Sequence, residues 1–164
     1  MLGGMLVRTA TEADQDAVWA TLEPVIRAGE TYALPRDMTR EAALGYWFSP
    51  DHEVFVAEDS GRVVGTYYLR ANQRGGGSHV ANAGYMTNPT ATGRGVARAM
   101  GTHSLERARA RGFTAMQFNF VVATNERALR LWRSLGFEVV GRLPLAFRHP
   151  SLGSVDALVL YRAI

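Results

Sequence analysis

Asn88-Pro89-Thr90-Ala91-Thr92-Gly93-Arg94-Gly95-Val96-Ala97 is the stretch on which the reading of this 164-residue chain turns. An alternating, strand-like segment from His79 to Thr87 precedes it. After it, Val96, Ala97, Met100, Gly101, Ser104, Leu105 and Ala108 share one face of a long helix. Small residues on that face let the helix lie close to a sheet. Glycines between a strand and a helix allow backbone N–H groups to turn toward an anion, and the helix start adds unpaired donors and the positive end of its dipole. Arg94 would add a charge-assisted contact to phosphate. The same residues also make an ordinary glycine-rich turn with an exposed arginine, so the segment alone leaves both readings open. It is not a dinucleotide fingerprint, because the spacing is not GxGxxG and two antiparallel-looking strands come before it.

Working outward, Leu6 to Ala10 alternates like a short strand, and Thr11-Glu12-Ala13-Asp14 offers helix-capping chemistry. Val18, Trp19, Leu22, Val25 and Ile26 fall on one helical face that Gly29 ends. A loop, Gly29 to Pro35, leads to a second helix from Thr39 to Phe48. Val54–Ala57 and Val63–Leu69 read as strands joined by a hairpin turn at Glu58-Asp59-Ser60-Gly61-Arg62, and Arg74–Ser78 as a flexible loop. Beyond the long helix, Met116–Val122 is a strand and Asn125–Leu135 a helix ended by Gly136. Glu138–Arg142 and Val155–Tyr161 are closing strands. The order β-α-α-β-β-β-α-β-α-β-β predicts one mixed α/β domain over residues 1–164, with an antiparallel start and a βαβ crossover in its second half.

Composition narrows the chemistry. Cysteine is absent, which excludes disulfides, a thiol nucleophile and Cys-ligated metal. All 18 basic residues are arginine, so Schiff-base chemistry on lysine and a Walker A lysine are excluded as well. His52, His103 and His149 lack ligand spacing, and no metal is indicated. The pI of about 9.7 follows from an excess of three arginine charges interspersed with Asp and Glu. No basic run is interleaved with aromatics, so no nucleic-acid surface is expected. No apolar run approaches a membrane span. The N-terminal Met1-Leu2-Gly3-Gly4-Met5-Leu6-Val7-Arg8 lacks the long apolar region of a signal peptide, so a cytoplasmic protein is expected.

Asn125-Glu126-Arg127-Ala128-Leu129-Arg130-Leu131-Trp132-Arg133-Ser134-Leu135-Gly136-Phe137 is the second motif. With the first, it resembles the GNAT N-acetyltransferase superfamily. The family's loop Q/R-x-x-G-x-G/A is matched at Gly95 and Ala97, with Thr92 departing at the first position. Its later pattern N-x-x-A-x-x-L-Y-x-x-x-G-F is matched at Asn125, Ala128, Leu131, Gly136 and Phe137, with Trp132 in place of the usual Tyr. The resemblance implies a GNAT-type sheet of about seven strands, splayed between the fourth and fifth, with about four helices. It further implies acetyl-CoA in the splay. Tyr85, Met86 and Thr87 would edge the pantetheine, and the N–H groups of Gly93, Arg94, Gly95, Val96 and Ala97 would hold the pyrophosphate. An amine would attack the thioester directly, a backbone N–H near Met86 would stabilise the oxyanion, and Asn125 would contact the cofactor. A homodimer would be ordinary for the family.

A closer likeness runs from His79 to the last strand and is to the fungal proline-analogue acetyltransferases, which acetylate azetidine-2-carboxylate. It implies an amino or imino acid as the small-molecule acceptor. Asn82 and Asn119 would recognise it, the Phe120 backbone would help to bind its carboxylate, and Asn125 and Asn119 would act near the reaction. Gly29-Glu30-Thr31-Tyr32 resembles the substrate-side loop of GNATs acting on small amino acids, which makes Glu30 and Tyr32 acceptor-site candidates. Read from the residues alone, Asn82 and Asn119 interrupt strands expected to be central and buried, where each amide needs a partner. Each serves either a structural bond or a polar substrate. Glu30, His79 and an ordered water are candidate proton acceptors, Glu30 being otherwise a solvated carboxylate and His79 a structural histidine. Trp132 is a core aromatic or a departure from the family's thiolate-protonating Tyr, since an indole N–H only donates. Two other functions stay open: an acyl-CoA-binding sensor without catalysis, and acetylation of a protein or peptide N-terminus.

Overall fold

The computed structural model describes residues 4–164. Met1, Leu2 and Gly3, part of the N-terminal stretch considered above for a leader, lie outside the described residues. The strands are β1 (Met5–Thr9), β2 (Glu53–Asp59), β3 (Arg62–Ala71), β4 (Val80–Thr87), β5 (Ala115–Val122), β6 (Glu138–His149) and β7 (Gly153–Ala163). The helices are α1 (Gln15–Ala28), α2 (Arg40–Trp47), α3 (Val96–Ala110) and α4 (Glu126–Ser134). Element order follows the expected one. The strands form one sheet, β1-β2-β3-β4-β5-β7-β6, antiparallel throughout except where β4 meets β5.

Helices cover both faces. Val18, Leu22 and Ile26 of α1 with Ala43 and Trp47 of α2 pack on Val54, Val56, Tyr68 and Met86. On the other face, Val96, Met100, Leu105 and Ala108 of α3 with Leu129 and Trp132 of α4 pack on Tyr67, Leu69, Ala81, Met116 and Phe118. Burying each such side chain is worth about 1.5–3 kcal/mol. The close approach of α3 depends on Gly65 of β3, where a Cβ would fall 2.7 Å from Val96 Cγ1. Gly101, expected to face the sheet, instead admits Leu135 and Trp132, at 2.8 and 3.0 Å from where its Cβ would be.

Local chemistry explains the ends. The β2–β3 turn is Ser60-Gly61 with φ of 53° and 79°, the double left-handed geometry that matches strand twist. Gly29 ends α1 at φ 64°. The loop expected at Arg74–Ser78 contains a short 3-10 turn, Gly75–Gly77. The last hairpin departs most from expectation: β6 and β7 run well beyond Glu138–Arg142 and Val155–Tyr161. Pro144 breaks the alternation that a strand reading needs, and the ladder absorbs it as a bulge between Leu143↔Ala157 and Phe147↔Val155. Asp156 holds that bulge, accepting from Leu145 N–H at 2.9 Å and Arg142 at 3.0 Å, and these bonds pull its carboxyl below the ordinary range.

Candidate active site

The parallel ladder between β4 and β5 is two pairs long, Val80↔Ala115 and Ala81↔Met116. One residue further on, the Asn82 side chain replaces the ladder, its Nδ2 donating to the Gln117 carbonyl at 2.9 Å. Past this strut the strands diverge. Val80 O accepts from Asn72 N–H and Asn88 N–H donates to Val64 O, so even-numbered backbone groups in this stretch face β3. Alternation then turns the N–H and C=O of Ala83, Tyr85 and Thr87 toward the gap. The backbone of Met86 points to β3, opposite Thr66, and its side chain is buried under α1 and α2. The Met86 N–H, expected near the oxyanion, therefore faces β3, and the neighbouring amides that face the gap are those of Tyr85 and Thr87.

A cavity of about 330 Å³ opens in the gap. Its walls come from β4 and β5, Thr31–Leu34 of the α1–α2 loop, Tyr46 of α2, Tyr68 and Arg70 of β3, and Asn125, Ala128 and Trp132 at α4. One wall is phenolic. Tyr46 and Tyr68 hydroxyls lie 3.0 Å apart, and Tyr68 stacks on His52. Gly84 is required beneath them, since a Cβ there would come within 2.5 Å of the Tyr68 ring and 2.7 Å of Tyr32 Oη. Burial pushes the phenols of Tyr32, Tyr68 and Tyr85 up, so they stay neutral donors; Tyr32 Oη also has the Tyr85 backbone amide beside it. The base is aromatic: Trp132 lies 4.7 Å from both Tyr85 and Phe118. Ser104 spends its own proton on Gly101 O, so Tyr85 is the donor in the 2.6 Å bond to Ser104 Oγ. That commits the Tyr85 phenol to the core.

The other end is polar. β5 carries a bulge between Phe118 and Val121 where its pairing with β7 slips. Asn119 and Phe120 lie on it and line the cavity. Asn119 was expected buried in a central strand, but the bulge leaves it exposed. Its amide is nonetheless partnered, accepting from Gln117 Nε2 at 2.9 Å and donating to Asn72 Oδ1 at 2.6 Å. Asn82 is buried, as expected. Arg70 lies directly across from Asn82 in the β3–β4 register. Its Nε is buried and has no hydrogen-bond partner among the described residues.

The glycine loop stands at the far end of β4. Gly93 and Gly95 both adopt φ of 82°, which side-chain-bearing residues rarely do. The first bond of the α3 ladder runs from Ala99 N–H to Gly95 O, so the N–H groups of Val96, Ala97 and Arg98 precede it. Arg94 is not free: its guanidinium pairs with Asp59 at 2.6 Å. Arg127, which sequence reasoning passed over, also reaches the loop, its Nη1 3.9 Å from where a Gly93 Cβ would be. Its place in the first turn of α4, beside the Asn125 cap, was the available signal.

The remaining candidates separate. Tyr32, Asn82, Asn119, Phe120, Asn125 and Tyr85 all line the cavity. Asn125 is also the N-cap of α4, its side chain accepting from Ala128 N–H at 3.3 Å. Glu30 and His79 are exposed and do not line it. Glu30 follows the Gly29 cap and faces solvent, and the loop reaches the cavity only from Thr31 onward. His79 precedes the paired end of β4, opposite the splay. Trp132 is a buried core aromatic that reaches the cavity floor. Arg70 was missed because a charged residue closing a strand reads as a solvated end, although alternation from Tyr68 puts it on the same face.

Comparison with known proteins agrees with this geometry. A solved GCN5-related N-acetyltransferase from Kribbella flavida is 41% identical, with a TM-score of 0.93 over 98% of both chains. The N-acetyltransferase aca1 of Schizosaccharomyces pombe is 29% identical over 151 residues, 82% of this chain and 72% of that protein. A phosphinothricin acetyltransferase from Sinorhizobium meliloti, solved with acetyl-CoA, shares the fold at 22% identity, with a TM-score of 0.84 over 98% of this chain and 88% of that one. Residues 18–137, well over half of the chain, match the acetyltransferase (GNAT) family. The chain belongs to the GNAT N-acetyltransferase family.

Proposed function

We propose that this protein transfers the acetyl group of acetyl-CoA to the amine of a small amino or imino acid by direct attack. The observation that carries the reading is the split sheet, with a glycine cradle of backbone donors at one end of the open β4 edge and a cavity with one polar end at the other. The residues fit the group. The N–H groups from Gly93 to Ala97 and the Arg127 guanidinium suit a pyrophosphate. The outward amides of Ala83, Tyr85 and Thr87 suit the pantetheine, which would add to the β4 edge as a strand does.

Acetyl-CoA supplies the thioester, whose C–S bond breaks as the amine nitrogen forms the new amide bond. Tyr85 N–H, which lies beside Tyr32 Oη, would stabilise the charge that develops on the carbonyl oxygen. Asn82, Asn119 and the Phe120 backbone, which line the cavity, would orient the acceptor, and Asn125, at the start of α4, would contact the cofactor. The described residues lining the cavity include no carboxylate or imidazole, so the amine proton passes to water. Trp132 does not protonate the departing thiolate, which is a weak enough base to leave and take its proton from solvent.

Calorimetric titration with acetyl-CoA, followed by mass analysis of amino and imino acids incubated with both, tests the reading. Saturable binding and an N-acetylated product are expected. Binding with no product from any amine supports the sensor function instead, and absence of binding overturns the site.

A further inference from the structure

The cavity carries a single formal charge. Of the described residues lining it, Arg70 is the one that carries a formal charge, and the rest are apolar, hydroxyl-bearing or amide. The protein does little to neutralise it. The acidic group within 4.0 Å is Asp51, whose Oδ2 lies at that limit from Nη1 and whose side chain is 69% exposed. The Arg70 Nε has no hydrogen-bond partner among the described residues. The side chain itself is 31% exposed, so the fork of the guanidinium is neither locked in an ion pair nor fully covered. Across the strand stands Asn82, and Asn119 lines the same end of the cavity.

A planar guanidinium beside two amides matches a carboxylate, whose two oxygens accept from the fork in parallel. It repels an ammonium or a polyamine. We infer that Arg70 is the specificity residue of the acceptor site: the accessible end of its guanidinium reads a free carboxylate on the acceptor. The enzyme therefore selects free amino or imino acids over amines without an anion, and over peptide N-termini, where the neighbouring carboxyl is an amide. This rests on the proposed acetyl transfer and names the group that the acceptor must carry.

The test compares azetidine-2-carboxylate with azetidine-2-carboxamide on wild type, Arg70→Gln and Arg70→Lys. Acetylation is followed by thiol release, and acceptor affinity is measured separately by calorimetry in the presence of CoA. Wild type is expected to favour the acid by about 10- to 100-fold in kcat/KM, the worth of a charge-assisted hydrogen bond. In Arg70→Gln that preference collapses through a higher KM for the acid, with kcat and acetyl-CoA affinity kept, and Arg70→Lys recovers part of it. An unchanged acid-to-amide ratio in Arg70→Gln, or equal use of both by wild type, overturns the assignment. If wild type turns over neither acceptor, acetyl transfer to these acceptors fails while calorimetry still decides Arg70: acid binding that Arg70→Gln abolishes supports it, and no binding of the acid overturns it.

Discussion

Asn82 Nδ2 bonds the Gln117 carbonyl at 2.9 Å one residue beyond the last β4–β5 backbone pair, and the sheet opens from that point. The amide does the work of a ladder bond while leaving the strands free to part. Asn82→Ala removes the strut and leaves a carbonyl unmatched. Stability is expected to fall by about 1–2 kcal/mol, a Tm loss of about 3–6 °C. Acetyl transfer should fall further than the stability loss explains, because the acceptor end of the cavity loses its shape. A wild-type Tm in this variant, read by calorimetry, would contradict the strut.

Asn125 has two roles that one substitution cannot separate. Its side chain caps α4 through Ala128 N–H and also lines the cavity. Asn125→Ala is expected to cost about 1 kcal/mol from the cap alone. Asn125→Ser keeps a capping oxygen and should hold the wild-type Tm while kcat/KM drops at least tenfold. Full activity in Asn125→Ser would leave the residue as a helix cap only.

Gly95 and Gly112 provide a matched pair. Both have left-handed φ, 82° and 86°, and at both an added Cβ would meet nothing within 4 Å. Alanine at either site costs about 1–2 kcal/mol of backbone strain. Only Gly95→Ala should weaken acetyl-CoA binding, by tenfold or more in calorimetric titration. Equal affinities for the two variants would remove the glycine loop from the binding site.

Asp14 sets an acid limit on stability. The Arg8 guanidinium at 2.8 Å and Thr11 N–H at 2.7 Å hold its carboxyl at about 2. A depressed carboxyl stabilises the fold above its unfolded value and loses that contribution as pH falls through the folded one, here between about pH 4 and 2. Arg8 is one-third exposed, so screening limits the contribution to about 1–2 kcal/mol. Asp14→Asn should lower the Tm at pH 7 and flatten its decline between pH 4 and 2. Parallel Tm curves for the two proteins would contradict this.

What the sequence displayed was whatever periodicity and punctuation encode. Gly29, Ser60-Gly61, Gly93-Arg94-Gly95 and the α3 and α4 faces were legible because turn chemistry and helical spacing are local. The β6–β7 extension was not, because Pro144 is tolerated only through a bulge held by Asp156, a partner on the next strand. Asn82 was legible as a buried amide needing a partner. Asn119 was misjudged, since no local signal marks the bulge that exposes it. Glu30 and His79 have suitable chemistry but stand outside the cavity, and Arg70 and Arg127 became visible only once strands and helices were brought together.

The most direct measurement is acceptor-dependent thiol release from acetyl-CoA by the wild-type protein, against Asn119→Ala. The chain has no cysteine, so the protein adds no thiol background. The acceptors would be azetidine-2-carboxylate, primary amino acids, an aminoglycoside and a short peptide. Release selective for the amino or imino acids, reduced at least tenfold in Asn119→Ala with acetyl-CoA affinity unchanged, is the expected result. Release driven equally by the aminoglycoside or peptide, or left intact in Asn119→Ala, would contradict the cavity between β4 and β5 as the acceptor site.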